Sequence, residues 1–331
     1  MERPIDFSHD RHMLCGACGH QWPVDLDWID RWDQAEETCP GCGITCEHED
    51  SPRVTVDPDD PALDDDRVAR FFWYHTTTQP DWPPRNFDPA ASLNSETRMR
   101  MGGDEGVAEW AAGQRAKALH VGTYESAVYN MLRRMRDQSD QGSQFYLYRV
   151  HLPPSVTVRE GWVMDPGNFV GDVPLADVCP PGVDVARYLN VHEDPGGLSL
   201  ALGRDVIARV QRLAVPLSGA WNESWVRDAI AALKGAGGTA VPATGRLARL
   251  LQPPSPRVVL GRELSAALAD QLPVNLRDKI ASAAPFTEGD DPEQWARCTS
   301  SLFGLISDAG HVLAALDQQD LREVGDRPAR S

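Results

Sequence analysis

Between residues 67 and 215, short runs of aromatic and β-branched residues alternate with polar turns, a pattern typical of β-strands. Helices are predicted in the same stretch at about 107–117 and 124–136, where apolar residues recur at helical spacing. Residues 79–106, rich in Pro, Gly and Asn, are predicted to form a long loop, a kind of segment that often carries function. The predicted strands cover residues 70–75, 118–121, 145–152, 155–158, 187–191 and 198–202.

The hydrophobic pattern changes after residue 215, and residues 216–331 are predicted to be helical. The strongest pattern predicts one helix over 292–318, with Asp291 as its N-cap and Pro292 at its first position. One stripe of apolar side chains runs along this predicted helix, and such a stripe indicates packing in a core. Its members are Trp295, Cys298, Leu302, Ile306, Ala309, Leu313 and Leu316.

Four segments follow from the pattern together with the distribution of cysteines and charge. Residues 1–50 contain five of the seven cysteines and are predicted to be a zinc ribbon. Residues 51–66 are an acidic, proline-bearing linker, predicted to be a solvated loop. Residues 67–215 form the mixed domain, and residues 216–331 a helical domain. The predicted fold class is α+β.

Composition excludes several classes of protein. The chain has 331 residues, 41% of them hydrophobic, which is enough for packed cores and excludes a wholly disordered protein. Its formal net charge of −17 argues against general nucleic-acid binding and against docking on anionic lipid. No apolar run approaches the ~20 residues of a membrane helix. The first residues lack the apolar stretch of a signal peptide, so a cytoplasmic protein with reduced cysteines is predicted.

Two CxxC pairs, Cys15–Cys18 and Cys39–Cys42, are separated by twenty residues. This spacing predicts one tetrahedral Zn²⁺ held by four thiolates, because each CxxC turn points two sulfurs at the same ion. A glycine follows each second cysteine and frees the backbone to bend around the metal. Disulfides or simple reduced thiols are the alternative. Residues 13–45 resemble zinc ribbons, and Cys46 or His48 could replace a ligand.

The donor set predicts a structural metal site, since catalytic zinc keeps one coordination position open. Zinc ribbons often bind nucleic acid, but residues 1–50 carry twelve acidic residues and three arginines. A structural or protein-docking role is therefore favoured for this ribbon.

The middle segment lacks the usual short motifs of catalysis: it has no phosphate-binding loop ending in GKS or GKT, no GxSxG and no HExxH. Polar residues instead stand at the ends of predicted strands. Three passages carry them: Tyr74-His75-Thr76-Thr77, Leu119-His120-Val121-Gly122-Thr123, and Asn190-Val191-His192-Glu193. Polar groups at strand ends that share a cleft are the expected layout of a site on a β scaffold.

In this order and spacing, the three passages over residues 67–215 resemble the ADP-ribosyltransferases of the His-Tyr-Glu type. The resemblance implies a split β-sheet that binds NAD⁺ as substrate, with Glu193 and His75 as catalytic residues. It implies that either Tyr124 or Tyr129 stacks on nicotinamide, and that the activity serves a bacterial toxin or defence role. Val191 stands two residues before Glu193, where enzymes that modify arginine have Glu or Gln. The remaining implied NAD contacts are Thr76, Thr77, His120, Gly122, Thr123 and Asn190.

The implied chemistry agrees with elementary principles. Cleavage of the nicotinamide–ribose bond builds positive charge on the sugar, which one carboxylate can stabilise. The acceptor of ADP-ribose is open: a protein is favoured over nucleic acid, and water would make the chain an NAD glycohydrolase. The competing hypothesis is a non-enzymatic adaptor in which the ribbon and the helical domain bind partner proteins. A zinc-ribbon transcription factor is disfavoured by the acidity.

Overall fold

A computed structural model describes residues 1–84, 86–138, 140, 142–167, 172–217, 221–236 and 253–324. Across these residues the protein mixes α-helices with several small β-sheets, as the sequence predicted. The finer prediction, a split sheet of the ADP-ribosyltransferase type, stays a prediction. Among the helices in the described parts of the chain, none combines the length and apolarity needed to cross a bilayer.

The N-terminal module is a three-stranded antiparallel sheet with one helix. Strands β1 (Arg11–Cys15), β2 (Gln21–Val24) and β3 (Pro52–Thr55) are ordered β2-β1-β3, and helix α1 spans Leu26–Asp33. Asp25 caps α1 by accepting a hydrogen bond from the Trp28 N–H. The small core of the module consists of Met13, Val24, Ile29 and Trp32.

Strand β3 lies within the segment 51–66, so the prediction of a solvated loop there is wrong. The segment also contains a short 3₁₀-helix (Pro61–Leu63) and the start of helix α2 (Asp65–Val68). Val54 packs against the core of the N-terminal module and Val56 is buried, so these two apolar residues place the segment against β1. The many acidic residues around Val54 and Val56 made the segment resemble a solvated loop in the sequence.

Two four-stranded sheets follow. Strand β4 (Trp73–Thr77) and β6 (Phe145–His151) join β10 (Arg209–Val215) and β11 (Arg322–Glu323) in the order β11-β10-β6-β4. The other sheet has the order β5-β9-β8-β7. Its strands are β5 (Leu119–Val121), β7 (Val163–Met164), β8 (Val185–Leu189) and β9 (Leu198–Leu202).

The two sheets are linked at the bridge between Tyr74 and Gly122, whose backbone groups exchange hydrogen bonds of 2.8 and 2.9 Å. The strand predicted at 155–158 is reduced to one isolated bridge from Val158 to Val185. The sequence reasoning did not find β10 or β11.

Four helices accompany these sheets: α3 (Ser95–Arg100), α4 (Gly103–Ala116), α5 (Tyr124–Asp137) and α6 (Leu175–Val178). Helices α4 and α5 confirm the two helices predicted in this stretch. The predicted loop over 79–106 instead holds α3 and the first turn of α4, because Asn94 caps α3 by accepting from the Thr97 N–H.

Five helices are described after residue 215: α7 (Glu223–Gly235), α8 (Pro256–Ala269), α9 (Val274–Ala283), α10 (Pro292–Ser307) and α11 (Ala309–Asp317). Part of the predicted helical domain lies outside the described residues, at 218–220, 237–252 and 325–331. The predicted continuous helix over 292–318 is wrong in one respect. It is interrupted at Asp308, whose side chain accepts from the His311 N–H and thereby starts a second helix.

The chain divides into two compact units. The first comprises Met1–Ala127, Tyr148–Arg212 and the residues from Asp320 onward. The second comprises Val128–Leu147 and Leu213–Gln319, and its core includes Val226, Leu233 and Trp295. The chain passes from one unit to the other inside α5, β6 and β10. These units group the chain differently from the four predicted segments, whose boundaries stay predictions.

Candidate functional site

Four cysteine sulfurs converge in the N-terminal module. The Sγ atoms of Cys15, Cys18, Cys39 and Cys42 all lie within 4.8 Å of one another, with Cys15–Cys42 at 3.8 Å and Cys18–Cys39 at 3.7 Å. A tetrahedral Zn²⁺ with Zn–S bonds of about 2.3 Å has S–S edges of about 3.8 Å. The cluster therefore has the size and donor set of a structural zinc site.

The two CxxC turns have the same backbone geometry. Gly19 N–H donates to the Cys15 carbonyl at 2.9 Å, and Gly43 N–H donates to the Cys39 carbonyl at 2.7 Å. Both glycines have positive φ, 70° and 74°, which a residue with a Cβ adopts only with strain. The sequence prediction that these glycines let the backbone turn around the metal agrees with this geometry.

Thiol ionisation also depends on the grouping of the sulfurs. At Cys39, burial disfavours the thiolate, but the N–H groups of Cys42 and Gly41 lower the pKa to about 7. At Cys18, the N–H of His20 favours the thiolate, but burial and the other three sulfurs raise the pKa to about 12. Sulfurs this close resist ionising together, and a divalent cation between them removes that repulsion.

The two spare candidates lie outside the cluster. Among the described residues, the grouping contains the four cysteines and neither Cys46 nor His48. Cys46 packs against the core of the N-terminal module, and His48 is exposed. The imidazole of His20 stacks on Trp22 with ring centroids 5.1 Å apart, so this pair packs beside the CxxC turn.

A second group of polar side chains lies in the first unit, where β4, β5 and β8 bring it together. His75 is half-buried at the centre of β4, and its Nδ1 lies 2.9 Å from the carbonyl oxygen of His120. Its ring is stacked on Trp82, with centroids 4.0 Å apart. Both contacts fix the orientation of the His75 imidazole at the edge where β4 meets β5.

Tyr188 links His120 to the acidic side chains. The His120 Nδ1 lies 3.2 Å from the Tyr188 hydroxyl, and the two rings meet edge to face at 5.4 Å. Burial raises the pKa of Tyr188, and the neighbouring carboxylates of Asp165 and Glu193 raise it further. Tyr188 is therefore a neutral phenol that contacts the His120 imidazole and experiences the charges of Asp165 and Glu193.

Asp165 belongs to the same group. Its pKa is raised by burial first and also by Glu193, whereas His192 and His120 act in the opposite direction. We call Asp165, Glu193, His120, His75 and Tyr188 the histidine–carboxylate cluster. Sequence reasoning named neither Asp165 nor Tyr188 as a site residue, although Tyr188 lies in the predicted strand 187–191.

Asn190 shapes the loop that carries Glu193. Its Oδ1 accepts the backbone N–H groups of His192, Glu193 and Asp194 at 3.1, 2.9 and 3.3 Å. Its Nδ2 donates to the Ser199 hydroxyl at 3.3 Å, and only 3% of Asn190 is exposed. Asn190 thus holds the loop from within, and the predicted contact between its side chain and NAD has no open face to form on.

The remaining predicted NAD contacts are used in the scaffold. Thr76 Oγ1 donates to the Ala127 carbonyl at 2.7 Å, and Thr77 Oγ1 accepts from the Gln79 N–H. Thr123 Oγ1 accepts from the Ser126 N–H and so caps α5. A Cβ on Gly122 would lie 2.1 Å from the Ser126 Oγ, so this position has space for glycine alone.

Neither predicted tyrosine joins the cluster. Tyr124 is 2% exposed and packs edge-on against Tyr74 and Phe7, with centroids 5.3 and 6.1 Å away. Tyr129 belongs to the second unit, where its hydroxyl accepts a 2.6 Å hydrogen bond from Asn275. The aromatic side chains near His75 and Glu193 are Trp82 and Tyr188.

A cavity of about 510 Å³ lies within the second unit. Its wall includes Gln144, Asp291, Trp295 and Cys298, and it contains none of the predicted site residues.

The chain was compared with known proteins by family model, by sequence and by structure. No family model, no curated protein and no solved structure matches the chain. The residues themselves therefore carry the functional argument.

Proposed function

We propose that the first unit transfers ADP-ribose from NAD⁺ to an acceptor and releases nicotinamide. The observation that carries the proposal is the histidine–carboxylate cluster, in which His75 on β4, His120 on β5 and Tyr188 on β8 come together. His75 contacts the His120 carbonyl, the His120 ring contacts the Tyr188 hydroxyl, and the charge of Glu193 acts on Tyr188. Residues more than a hundred positions apart thus form one polar group beside a β-sheet.

The reaction breaks the bond between nicotinamide N1 and ribose C1, and the electron pair leaves with nicotinamide. C1 then bonds to the acceptor atom, which loses its proton. Glu193 is half-buried and stabilises the positive charge that grows on the ribose as the bond lengthens. His75, fixed by its contact with His120, binds ribose hydroxyls. In this proposal Asp165, whose pKa is raised by burial, takes the proton of the acceptor.

Two aromatic residues replace the tyrosines named from the sequence. Tyr188 stays protonated, so its hydroxyl can donate a hydrogen bond to a carboxylate or to substrate. Trp82 stacks on one face of the His75 imidazole, with ring centroids 4.0 Å apart. In this proposal the buried rings of Tyr188 and Trp82, rather than Tyr124 or Tyr129, support the nicotinamide pocket from within the fold.

In the same proposal the N-terminal module has a structural role. One Zn²⁺ would be held by Cys15, Cys18, Cys39 and Cys42. The bound ion would cross-link two turns that are far apart in the chain. With all four positions taken by cysteine, the ion has no site for substrate.

The test is nicotinamide release from NAD⁺ by the full chain. Glu193→Gln keeps the shape of the side chain and is expected to lower kcat by about 100-fold or more, because the charge it removes acts on the transition state. His75→Ala is expected to lower kcat/KM by at least about 10-fold. Glu96→Gln removes an exposed acid on α3 and is the matched control, with unchanged turnover.

The proposal fails if the wild-type chain releases no nicotinamide. It also fails if turnover persists at the wild-type level in both Glu193→Gln and His75→Ala. Acceptor choice is read from the products: free ADP-ribose identifies a glycohydrolase, and a modified protein identifies a transferase.

A second candidate is a non-enzymatic adaptor that binds a partner protein. The observation that favours it is the row of aromatic rings on the N-terminal module, where His20, Trp22, Trp28 and Trp32 follow one another at 5.1, 5.6 and 5.5 Å. Trp22 and Trp28 are partly exposed and available to a partner. Failure of NAD⁺ to bind, together with a partner released by Trp22→Ala, would favour this candidate.

A further inference from the structure

The loop that carries Glu193 is tied to the N-terminal module by a buried ion pair. Arg11 opens β1, and its Nη2 lies 2.6 Å from the Asp194 Oδ1. Both side chains are 1% exposed, although 183 positions separate them in the chain. A pair this deep is held by its surroundings in one geometry, unlike an ion pair on the surface.

The loop also rests directly on the strands of the module. A Cβ placed on Gly196 would come within 3.3 Å of the Thr55 carbonyl and 3.5 Å of the Arg11 Cγ. Gly196 N–H donates to the Asn190 carbonyl at 3.0 Å, and Gly197 N–H to the Asp194 carbonyl at 2.9 Å. Residues 190–197 therefore form a closed loop whose outer side lies against β1 and β3.

The ion pair is not optimised for stability. Arg11 Nε and Asp194 Oδ2 are buried without a hydrogen-bond partner among the described residues. Glu125 adds a second buried carboxylate nearby, and His9 Nε2 lies 3.8 Å from Asp194 Oδ1. Burying charges that are only partly paired is costly, and replacing a buried ion pair with apolar residues of similar volume is often neutral or stabilising. A contact of this kind is better explained by the geometry it imposes.

The places of Arg11 and Asp194 in the chain indicate which residue the ion pair holds in position. Arg11 lies four residues before Cys15 on the same strand, and Asp194 directly follows Glu193. A short path thus runs from the cysteine cluster along β1, across the ion pair, to the acid of the histidine–carboxylate cluster. Both ends of the path lie in the first unit.

We propose that the Arg11–Asp194 ion pair is a positioning contact that makes the placement of Glu193 depend on the folded N-terminal module. The role given to Glu193 rests on the proposed function, whereas the contact and its effect on the loop do not. Arg11 and Asp194 act through Glu193 and do not touch substrate.

The test measures amide hydrogen exchange in the full chain. Arg11→Gln is expected to speed exchange of the amides in 190–197 by at least about 10-fold, while amides 12–15 of β1 keep the wild-type rate and show that the module is folded. The matched control is Arg3→Gln, which breaks the half-buried pair of Arg3 with Asp60, 3.0 Å apart, without touching the loop. The control is expected to leave 190–197 unchanged.

A second variant tests the same contact in case Arg11→Gln folds poorly. Asp194→Asn keeps an oxygen beside the Arg11 guanidinium but removes the charge, and is expected to speed exchange in the same loop. The double variant Arg11→Gln/Asp194→Asn is expected to exchange no faster than the faster single variant, because both changes remove one shared contact. Additive effects would overturn the proposal, as would wild-type exchange in 190–197 for both single variants.

Kinetics then separate this proposal from the proposed function. If nicotinamide release is observed, Arg11→Gln is expected to lower kcat by about 10-fold with little change in KM, since a misplaced Glu193 acts on the transition state. A change confined to KM would overturn the positioning role. If no nicotinamide is released but exchange in 190–197 rises, the proposed function fails and the contact stands.

Discussion

Gly122 sits where β5 meets β4, and replacing it with alanine tests how tightly the candidate site is packed. The added Cβ would lie 2.1 Å from the Ser126 Oγ and 2.8 Å from the Ser199 Oγ, whereas ordinary contacts begin at 3.4 Å. Rotation of Ser126 gives up its 3.1 Å hydrogen bond to the Thr123 carbonyl. A shift of Ser199 disturbs the hydrogen bond it receives from Asn190.

These adjustments set the size of the effect. Overpacking of a filled site costs about 1–3 kcal/mol, and each lost hydrogen bond adds about 1 kcal/mol. Gly122→Ala is therefore expected to lower the free energy of unfolding by about 2–5 kcal/mol. Gly113→Ala is the matched control, since Gly113 lies inside α4 and a Cβ there meets nothing within 4 Å. It is expected to raise stability by about 0.5–1 kcal/mol.

The assay is urea unfolding of the full chain, followed by amide exchange in peptides that cover β4 and α4. With a slope of about 2 kcal/mol per molar urea, Gly122→Ala should lower the midpoint by about 1 M or more. The reasoning is refuted if Gly122→Ala unfolds at the wild-type midpoint, or if the two alanine variants shift the midpoint in the same direction.

Two further predictions concern the cysteine cluster and a buried acid. Cys39→Ser is expected to abolish binding of one zinc per chain, whereas Cys46→Ser, in the same module but outside the cluster, keeps it; equal zinc content in both variants would contradict the assignment. Burial and the nearby Asp194 raise the pKa of Glu125 above its ordinary value of 4.5. The contribution of the protonated Glu125 to the free energy of unfolding is therefore fully present below pH 4.5 and is lost as the pH rises through the raised pKa. Glu125→Gln should remove this loss, seen as a flatter urea midpoint from pH 4.5 to about pH 7; an unchanged slope would count against it.

The metal cluster was predictable because its information is local. Each CxxC turn brings two sulfurs together whatever the rest of the chain does, and four such ligands leave few alternatives. The structure places all four predicted sulfurs within 4.8 Å of one another. The acidic segment that follows was misread, since Val54 and Val56 are two apolar positions among many charges.

Neither tyrosine named from the sequence lies in the histidine–carboxylate cluster. Tyr124 and Tyr129 are five residues apart on one helix, so their side chains point about 140° apart and cannot both face one cleft. Tyr188 is brought to the site by the pairing of β8 with β9, in which it lies opposite Ser199. That register depends on contacts between distant strands, which local periodicity does not contain.

The predicted helix at 292–318 failed for a related reason. Its apolar stripe runs through Asp308 without a break, and the pattern therefore indicates one helix. Asp308 instead leaves helical geometry, with φ −141° and ψ 56°, and caps the next helix. An aspartate can end one helix and begin another without disturbing the spacing of apolar residues on either side.

The passage of the chain between its units inside α5, β6 and β10 has a practical consequence for dissecting the protein. A recombinant fragment covering 67–215 would lack β11 and the sheet of β1, β2 and β3, and would carry residues 128–147 and 213–215 without the rest of the second unit. Truncation would thus damage both units. Assigning roles to regions of this polypeptide calls for point substitutions in the intact chain.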